Sequence, residues 1–298
     1  MSSRTIPLND GNTIPWLAFG TGTALYSKDA TKATLAAISA GFVHLDGAQM
    51  YGNEETLGDA IVQSGVPRSS LFVTTKLAAV PDGRDVRFTL EESLRKLKTD
   101  YVDLFLIHNP KQHPDLKGTW KQLEALKEAG LTRSIGVSNF TVKHLETILE
   151  VATIKPAAIQ NEYHPYVAKA SKAVRAFAKE HNIVYVSYGG LTPVARFPNG
   201  PVTPALQRAA KRLTEQTGKQ VTTGQVLQVW LRQQDIVAVR LSRYAPTAST
   251  SNKPERLQEY LDSQTIPDLT EEELKDIETE GAKVHHRVYM KWLDEESS

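Results

Sequence analysis

Four polar residues with side chains suited to carbonyl chemistry each follow a short apolar run. Those residues are Asp46, Tyr51, Lys76 and His108. The apolar runs cover residues 42–45, 71–74 and 102–107, and a helix-like sequence follows each. In a barrel of repeated βα units, all strands end at one face, where active sites form. An acid, a phenol, an ammonium and an imidazole meeting there suit protonation of a carbonyl oxygen while hydride reaches its carbon.

The phenol needs help from its neighbours to act as an acid near neutral pH. A free tyrosine hydroxyl has a pKa near 10, and a cation within about 4–6 Å lowers it by roughly 1–3 units. We therefore predict that Tyr51 is the general acid, that Lys76 lowers its pKa, and that Asp46 keeps Lys76 charged. His108 would hydrogen-bond the carbonyl oxygen. Alternatively, Tyr51 is a packed loop residue and Asp46 forms an ordinary ion pair with Lys76.

Strand-like and helix-like segments alternate along the chain. The strand candidates are residues 17–20, 42–46, 71–75, 102–107, 134–137, 157–161, 183–187 and 236–239. The helix candidates are residues 29–40, 54–64, 86–98, 118–129, 141–151, 170–181 and 222–233. Continuous apolar strands between helices favour a closed parallel sheet. We predict an α/β fold, a (β/α)8 TIM barrel with an N-terminal β-hairpin plug and a C-terminal extension, forming one domain over residues 1–298; an open doubly wound sheet is the alternative.

Composition narrows the function classes. The chain has 298 residues, 40% of them hydrophobic and 23% charged, as in globular proteins with a substantial core. A net charge of +1 gives no reason to expect nucleic acid or an anionic membrane as partner. The absence of cysteine excludes disulfides and thiolate metal sites, and the histidines lack ligand-like spacing, so we predict no metal. No signal-like or membrane-spanning apolar run occurs, so we expect a cytoplasmic protein, a monomer or weak homodimer.

The sequence resembles the aldo-keto reductase family over roughly residues 6–261. The resemblance is carried by the segments Leu45–Glu54, Thr75–Leu77, Leu106–Pro110, Ile135–Phe140 and Gln160–Pro165. Within the family the chain is similar to fungal NADPH-dependent α-keto amide and conjugated polyketone reductases. The resemblance implies an NADP-dependent oxidoreductase that reduces a ketone or aldehyde, with Asp46, Tyr51, Lys76 and His108 as the catalytic residues. Two other functions remain open: a Schiff-base aldolase that uses Lys76 as nucleophile, and a non-catalytic cofactor-sensing barrel.

The cofactor prediction rests on the resemblance. A Rossmann glycine motif is missing, because Leu25 stands where the third glycine would follow Gly20 and Gly22. The resemblance implies that NADPH is held by Gly20, Thr21, Gly22, Ser138, Asn139, Gln160, Tyr188, Gly189, Leu191, Ser251, Asn252, Lys253 and Arg256. Within this set, Ser138, Asn139 and Gln160 would bind the nicotinamide carboxamide, Tyr188 would stack on the ring, and residues 251–256 would bind the 2′-phosphate. Without the family resemblance, Ser138 and Asn139 would be interpreted as a helix cap, and residues 251–256 as a charged helix start.

Among the departures of the chain from the family pattern, two bear on the phosphate loop and on the substrate pocket. Residues 240–249 form an apparent insertion after the last strand, in which Arg240 or Arg243 would contact a phosphate or lie in a solvated loop. Gly22, Ala78 and Asn109 stand where many members carry tryptophan, which widens the mouth. We therefore predict that His108, Ala78 and Asn109 contact a bulky or polar vicinal dicarbonyl substrate.

Overall fold

A computed structural model describes residues 4–241 and 254–296. Its strands are β1 (Thr5–Pro7), β2 (Thr13–Pro15), β3 (Leu17–Gly20), β4 (His44–Asp46), β5 (Phe72–Leu77), β6 (Val102–Ile107), β7 (Thr132–Ser138), β8 (Ala158–Glu162), β9 (Val184–Tyr188) and β10 (Val237–Leu241). Its helices are α1 (Thr31–Ala40), α2 (Glu54–Gln63), α3 (Val86–Leu97), α4 (Leu116–Glu128), α5 (Val142–Leu149), α6 (Lys172–Glu180), α7 (Thr192–Ala195), α8 (Thr203–Thr217), α9 (Thr223–Arg232), α10 (Pro254–Asp262), α11 (Glu271–Gly281) and α12 (Trp292–Glu295).

Eight parallel strands close into a barrel in the order β10-β3-β4-β5-β6-β7-β8-β9. Every residue of β5 and β6 is buried, because helices cover the outside of the sheet while side chains fill the inside. Strand β10 closes the barrel by pairing with β3, with Val239 opposite Ala18. The predicted (β/α)8 barrel is therefore confirmed, and the open doubly wound sheet is wrong.

The N-terminal hairpin covers the end of the barrel where the strands begin. Strands β1 and β2 pair antiparallel, and Gly11 turns the chain between them with a φ of +87°. The Pro15 carbonyl lies 3.1 Å from His44 Nδ1, and Asn12 donates to the Arg133 carbonyl at 3.1 Å. The residues predicted to be catalytic lie at the opposite end of the barrel, where the strands finish.

One long helix is missing from the sequence prediction. Helix α8 buries residues 205, 206, 209, 210 and 213, a spacing typical of an amphipathic helix. Pro204 lies in its first turn, where the missing N–H costs no helical hydrogen bond. At 15 residues α8 is the longest of the described helices. None of those helices combines the length and apolar character needed to cross a bilayer.

Candidate active site

The four predicted catalytic residues lie at the end of the barrel where the strands finish. Asp46 is the last residue of β4 and Lys76 is the penultimate residue of β5. Tyr51 closes a short 3₁₀ turn over residues 49–51, and His108 directly follows β6. Separate βα units therefore bring all four to one mouth, as barrel geometry requires.

Lys76 is a buried cation held by two acceptors. Its side chain is 0% exposed, and its Nζ donates to Asp46 Oδ1 at 2.6 Å and to the Gly47 carbonyl at 2.7 Å. The same Nζ lies 5.2 Å from the centroid of the Tyr51 ring. Burial alone would lower the pKa of Lys76, but Asp46 and Tyr51 outweigh it and raise that pKa. Lys76 is therefore ammonium at neutral pH.

Tyr51 keeps its proton more tightly than expected from its neighbours. Burial raises the pKa of the Tyr51 phenol, while the Lys76 charge and hydrogen bond lower it and the Asp46 charge raises it again. The net direction is upward, so the expectation that Lys76 brings this pKa below its ordinary value is wrong. Desolvation is the larger effect because the ring lies inside the mouth. The phenol is protonated at neutral pH and has a proton to donate.

His108 presents a neutral imidazole beside that phenol. The two rings lie 5.6 Å apart, nearly perpendicular at 81°. Burial, helped by the Lys76 charge, lowers the pKa of His108 to about 3. Its Nδ1 is buried and has no hydrogen-bond partner within the described residues. A neutral imidazole keeps one N–H, which can be donated to a substrate oxygen that also faces Tyr51.

The loop after β3 forms one wall of the mouth. Gly20 ends β3 and pairs with Asp46, and the Thr21 carbonyl accepts from Asn53 Nδ2 at 2.9 Å. A Cβ placed on Gly22 would lie 3.0 Å from Tyr51 Cζ and 3.3 Å from its hydroxyl. Glycine at this position therefore lets the loop pack directly on the tyrosine ring. Asn53 is not among the predicted site residues, although it lies two positions after Tyr51 in the segment Leu45–Glu54.

The other predicted substrate-side residues are held by main-chain contacts. The Ala78 N–H donates to Gln49 Oε1 at 2.8 Å, which ties the turn carrying Tyr51 to the end of β5. Asn109 Oδ1 accepts from the Lys111 N–H at 3.0 Å, and Asn109 Nδ2 lies 3.9 Å from Met290 Sδ. Asn109 thus caps the turn after β6 and also contacts the C-terminal extension at the mouth.

Two predicted cofactor residues are linked to His108, the predicted catalytic histidine. The Tyr188 hydroxyl donates to Asn139 Oδ1 at 2.6 Å, and Asn139 Nδ2 donates to the His108 carbonyl at 2.8 Å. Asn139 has a φ of 60°, a left-handed conformation that asparagine tolerates better than most residues. The Tyr188 side chain is thereby held at the end of β9 by a side-chain hydrogen bond.

Ser138 and Gln160 complete the same network. Ser138 Oγ donates to the Gln160 carbonyl at 2.7 Å, across the pair β7 and β8. Gln160 Nε2 donates to Asp46 Oδ2 at 2.8 Å, so one carboxylate binds both Lys76 and Gln160. The residues predicted for the nicotinamide end and the residues predicted for catalysis therefore form one buried hydrogen-bonded cluster.

The chain directly after Tyr188 is shaped to receive an anion. Gly189 has a φ of +70°, and a Cβ on Gly190 would lie 3.0 Å from Leu231 Cδ1. The N–H groups of Gly190 and Leu191 have no acceptor among residues 4–241 and 254–296. A glycine turn with unused N–H groups beside a cluster of amides fits a dinucleotide cofactor, whose diphosphate needs such donors.

A buried carboxylate near the mouth was not predicted. Glu162 Oε1 accepts from the Val288 N–H at 3.0 Å, and Oε2 accepts from the Tyr289 N–H at 2.8 Å. His164 Nε2 lies 3.1 Å from the same carboxylate. Tyr289 then packs against the Tyr188 ring with centroids 5.6 Å apart. The sequence signal that could have identified Glu162 is a carboxylate at the end of a strand, inside the segment Gln160–Pro165.

The predicted phosphate-binding residues are only partly described. Arg256 lies in α10 and is half-buried. Four others fall outside the described residues: Arg243, Ser251, Asn252 and Lys253. Arg240 does not belong to an inserted loop, so that interpretation is wrong: β10 continues through it, opposite Phe19, and its side chain is buried.

Residues 16–280 match the model of the Aldo/keto reductase family. The chain belongs to the aldo-keto reductase family. As a member it is an oxidoreductase with a barrel scaffold. No group of three or more His, Cys, Asp or Glu side chains among the described residues is arranged to hold a metal ion.

Relatives cover nearly the whole length of this aldo-keto reductase. The NAD/NADP-dependent indole-3-acetaldehyde reductase of Schizosaccharomyces pombe is 35% identical over 297 residues, covering 96% of this chain and 98% of the relative. The NADPH-dependent alpha-keto amide reductase of Saccharomyces cerevisiae is 30% identical, covering 96% and 93%. The crystal structure of an aldo/keto reductase from Brucella melitensis superimposes with a TM-score of 0.77 at 30% identity, covering 94% of this chain and all (100%) of that one.

Proposed function

We propose that this chain is an NADPH-dependent carbonyl reductase in which Tyr51 protonates the substrate oxygen. One observation carries the proposal: a fully buried Lys76 ammonium, held by Asp46, lies beside the Tyr51 ring, which faces a neutral His108. These are an acid, its electrostatic support and a hydrogen-bond donor in one mouth.

The residues divide the work of reduction among them. NADPH, when bound, supplies the hydride that is added to the carbonyl carbon. Tyr51 donates its proton to the carbonyl oxygen, and the Lys76 ammonium stabilises the phenolate that remains. The His108 N–H hydrogen-bonds the same oxygen and polarises the carbonyl. A solvent proton then returns to Tyr51, so that one proton is consumed for each alcohol formed.

The cofactor assignment follows from the buried cluster and from the relatives. Ser138, Asn139 and Gln160 offer amide and hydroxyl groups for the nicotinamide carboxamide, next to the Tyr188 ring. The two yeast relatives are named for NAD/NADP and for NADPH. Arg256 on α10, together with Ser251, Asn252 and Lys253, would bind the 2′-phosphate and favour NADPH over NADH.

The substrate we propose is a bulky or polar vicinal dicarbonyl, such as an α-keto amide. Ala78 and Asn109 place no large ring at the mouth, and Gly22, which packs against Tyr51, adds none, so a branched or polar group can enter. The Saccharomyces cerevisiae relative is named for α-keto amides, which supports this class. A panel of α-keto amides, cyclic diketones and short aldehydes would decide: a higher kcat/KM for the aldehydes than for every dicarbonyl would refute the assignment.

The aldolase alternative is disfavoured by the state of Lys76. A Schiff-base nucleophile must be a neutral amine, which needs a lowered pKa. Here Asp46 and the Gly47 carbonyl bind the ammonium and its pKa is raised. Borohydride reduction with an aldehyde should therefore leave no adduct on Lys76.

The Tyr51→Phe variant tests the proposal. Because phenylalanine keeps the ring and removes the acid, we expect kcat to fall by about 10²–10⁴-fold. NADPH affinity, measured by fluorescence titration, should stay within about threefold of the parent value, which shows that the site is still formed. A variant that keeps most of its reductase activity would refute Tyr51 as the proton donor. The single-domain organisation, the cytoplasmic location and the monomeric or weakly dimeric state remain predictions.

A further inference from the structure

Arg240 is a buried cation without an acidic partner in the described part of the chain. Its side chain is 3% exposed, and no salt bridge joins it to a carboxylate within residues 4–241 and 254–296. With the Gln228 amide oriented to satisfy both its groups, Gln228 Oε1 accepts from Arg240 Nε at 2.6 Å and from Nη2 at 3.3 Å. The guanidinium carbon lies 5.9 Å from the Tyr260 ring centroid. The polar partner of the Arg240 guanidinium among the described residues, the Gln228 amide, is therefore uncharged.

A buried charge of this kind needs compensation. Burial lowers the pKa of Arg240 to about 10, with Tyr260 and Glu259 acting in the opposite direction, so the group is still a cation at neutral pH. Removing a charge from water is expensive unless an opposite charge or several hydrogen bonds replace the solvent. Gln228 uses only one edge of the guanidinium, and the remaining Nη1 edge faces elsewhere.

That remaining edge faces the glycine turn after Tyr188. A Cβ placed on Gly190 would lie 3.7 Å from Arg240 Nη1. Arg240, Gly189, Gly190 and Leu191 line one cavity together with Arg196 and Tyr289. Gly190 and Leu191, whose N–H groups have no acceptor among the described residues, therefore line the same cavity as the Arg240 guanidinium. Such a combination of amide and guanidinium donors is suited to phosphate oxygens.

We propose that Arg240 binds the diphosphate of the dinucleotide cofactor and so sets its affinity irrespective of the 2′-phosphate. The inference rests on the proposed function and adds a residue that the family resemblance does not supply. The diphosphate is favoured over the 2′-phosphate by position. Residues 189–191 directly follow Tyr188, which we assign to the nicotinamide, and the diphosphate is the group joined to that end of the cofactor. Arg256, by contrast, lies on α10.

The test compares Arg240→Met, which removes the charge, with Arg240→Lys, which keeps the charge but not the planar fork. Affinities for NADPH, NADH and 2′-AMP are measured by calorimetry on the full chain. We expect Arg240→Met to weaken NADPH and NADH alike by roughly tenfold to hundredfold, the value of a hydrogen bond to a charged group. Arg240→Lys should fall between parent and Met. The affinity for 2′-AMP, which lacks the diphosphate, should not change.

Arg256→Ala is the matched control, because it should weaken NADPH and 2′-AMP while leaving NADH nearly unchanged. Unaltered dinucleotide affinities in Arg240→Met, or a loss confined to NADPH and 2′-AMP, would overturn the assignment of Arg240 and leave the reductase proposal intact. A parent protein that binds neither dinucleotide would overturn both. Should Arg240→Met fail to fold, the same equal loss for both dinucleotides must appear in Arg240→Lys, and the rise in Tm caused by saturating NADPH must be smaller there than in the parent.

Discussion

As the proposed general acid, Tyr51 must hold a proton until a substrate oxygen arrives and then release it. Burial raises its pKa, which keeps the phenol protonated, while Lys76 lies ready to stabilise the phenolate formed by proton transfer. Reduction starts from the protonated phenol that burial favours, and the phenolate that it leaves is stabilised by Lys76. The support of the cation therefore matters most during proton transfer, when charge develops on the tyrosine oxygen.

Gly22 controls where that oxygen lies. A methyl group at this position would meet the Tyr51 ring at 3.0–3.3 Å, so the ring must move by several tenths of an ångström. We predict that Gly22→Ala lowers kcat/KM by roughly tenfold, since small displacements of a reacting group are costly. Steady-state kinetics with one dicarbonyl substrate measures this.

The same glycine substitution in a Tyr51→Phe background serves as the control. If Gly22 acts by positioning the hydroxyl, adding alanine where no hydroxyl remains should change the residual rate little. An equal tenfold loss in both backgrounds would show that Gly22 acts by another route, such as substrate or cofactor contact.

At the scale of single residues, the sequence predicts which residues form the site but not the direction in which their pKa values shift. The positions of Asp46, Lys76 and His108 follow from apolar runs that end at one barrel face, and the structure places them there. The net direction of the Tyr51 pKa could not be predicted. It depends on burial by residues from distant parts of the chain, including Gly22, which the sequence alone does not place against the ring.

Between elements, Glu162 joins the barrel to its C-terminal extension. Its buried carboxylate at the end of β8 accepts from the N–H groups of Val288 and Tyr289, 126 and 127 residues later. Tyr289 then packs on Tyr188 and contacts Arg196, on the wall of the diphosphate cavity. The extension is thus fastened to the mouth at a strand end.

We predict that Glu162→Ala loosens this attachment and lowers the free energy of unfolding by about 2 kcal/mol or more. The N–H groups of Val288 and Tyr289 would lose their carboxylate acceptors in a partly buried setting. Hydrogen exchange should speed up at those two amides, and NADPH should bind more weakly. Glu272→Ala, on the exposed face of α11, should leave both measurements unchanged. Unaltered exchange at Val288 and Tyr289 in Glu162→Ala would contradict the role of this carboxylate.

Elements with strong local apolar patterns could be predicted from the sequence, and hydrogen bonds between distant segments could not. The apolar strands β5 and β6 are buried at every residue, so their pattern was clear. Helix α8 has an equally clear pattern of buried positions and was left out of the prediction. The bond from Glu162 to the Val288 and Tyr289 backbone has no sequence signature, because main-chain donors are the same at every residue.

Across the whole molecule, the stability of the barrel should depend on pH through buried histidines. Burial lowers the pKa of His44 from 6.5 to about 4, and that of His108 to about 3. Between pH 6.5 and these values the unfolded chain binds protons that the folded chain does not. The free energy of unfolding therefore falls as pH drops through this window. Burial raises the pKa of Glu54, so above about pH 4.5 the folded chain holds a proton there that the unfolded chain does not. This contribution to the free energy of unfolding therefore rises as pH drops, opposite to that of the histidines.

We predict a loss of roughly 2–3 kcal/mol from His44 alone between pH 7 and pH 4.5. Urea unfolding at both pH values measures it, and His44→Gln, which cannot titrate, should show a correspondingly smaller drop. Equal drops in the parent and in the variant would show that His44 does not contribute. The comparison uses the difference between two pH values, so any loss of stability common to both cancels.

The overall fold was predictable because the local patterns agree with the global one. Repeated apolar strands separated by helices leave a closed parallel sheet as the natural arrangement, and β10 closes it against β3. The end of β10 was not predictable in the same way. Arg240 is buried in this strand although the comparison with the family pattern places it in an insertion after the strand; charged residues are seldom buried, so nothing in the sequence signals its position.

The most direct test of the catalytic account is a double-mutant cycle between Tyr51 and Lys76. The measurement is kcat/KM of the parent, Tyr51→Phe, Lys76→Met and the double variant with one dicarbonyl substrate and NADPH. If the ammonium acts through the phenol, the double variant should be about as slow as the slower single variant, because each change removes the same function. Losses that multiply, with the double variant slower by the product of the two single effects, would contradict the account.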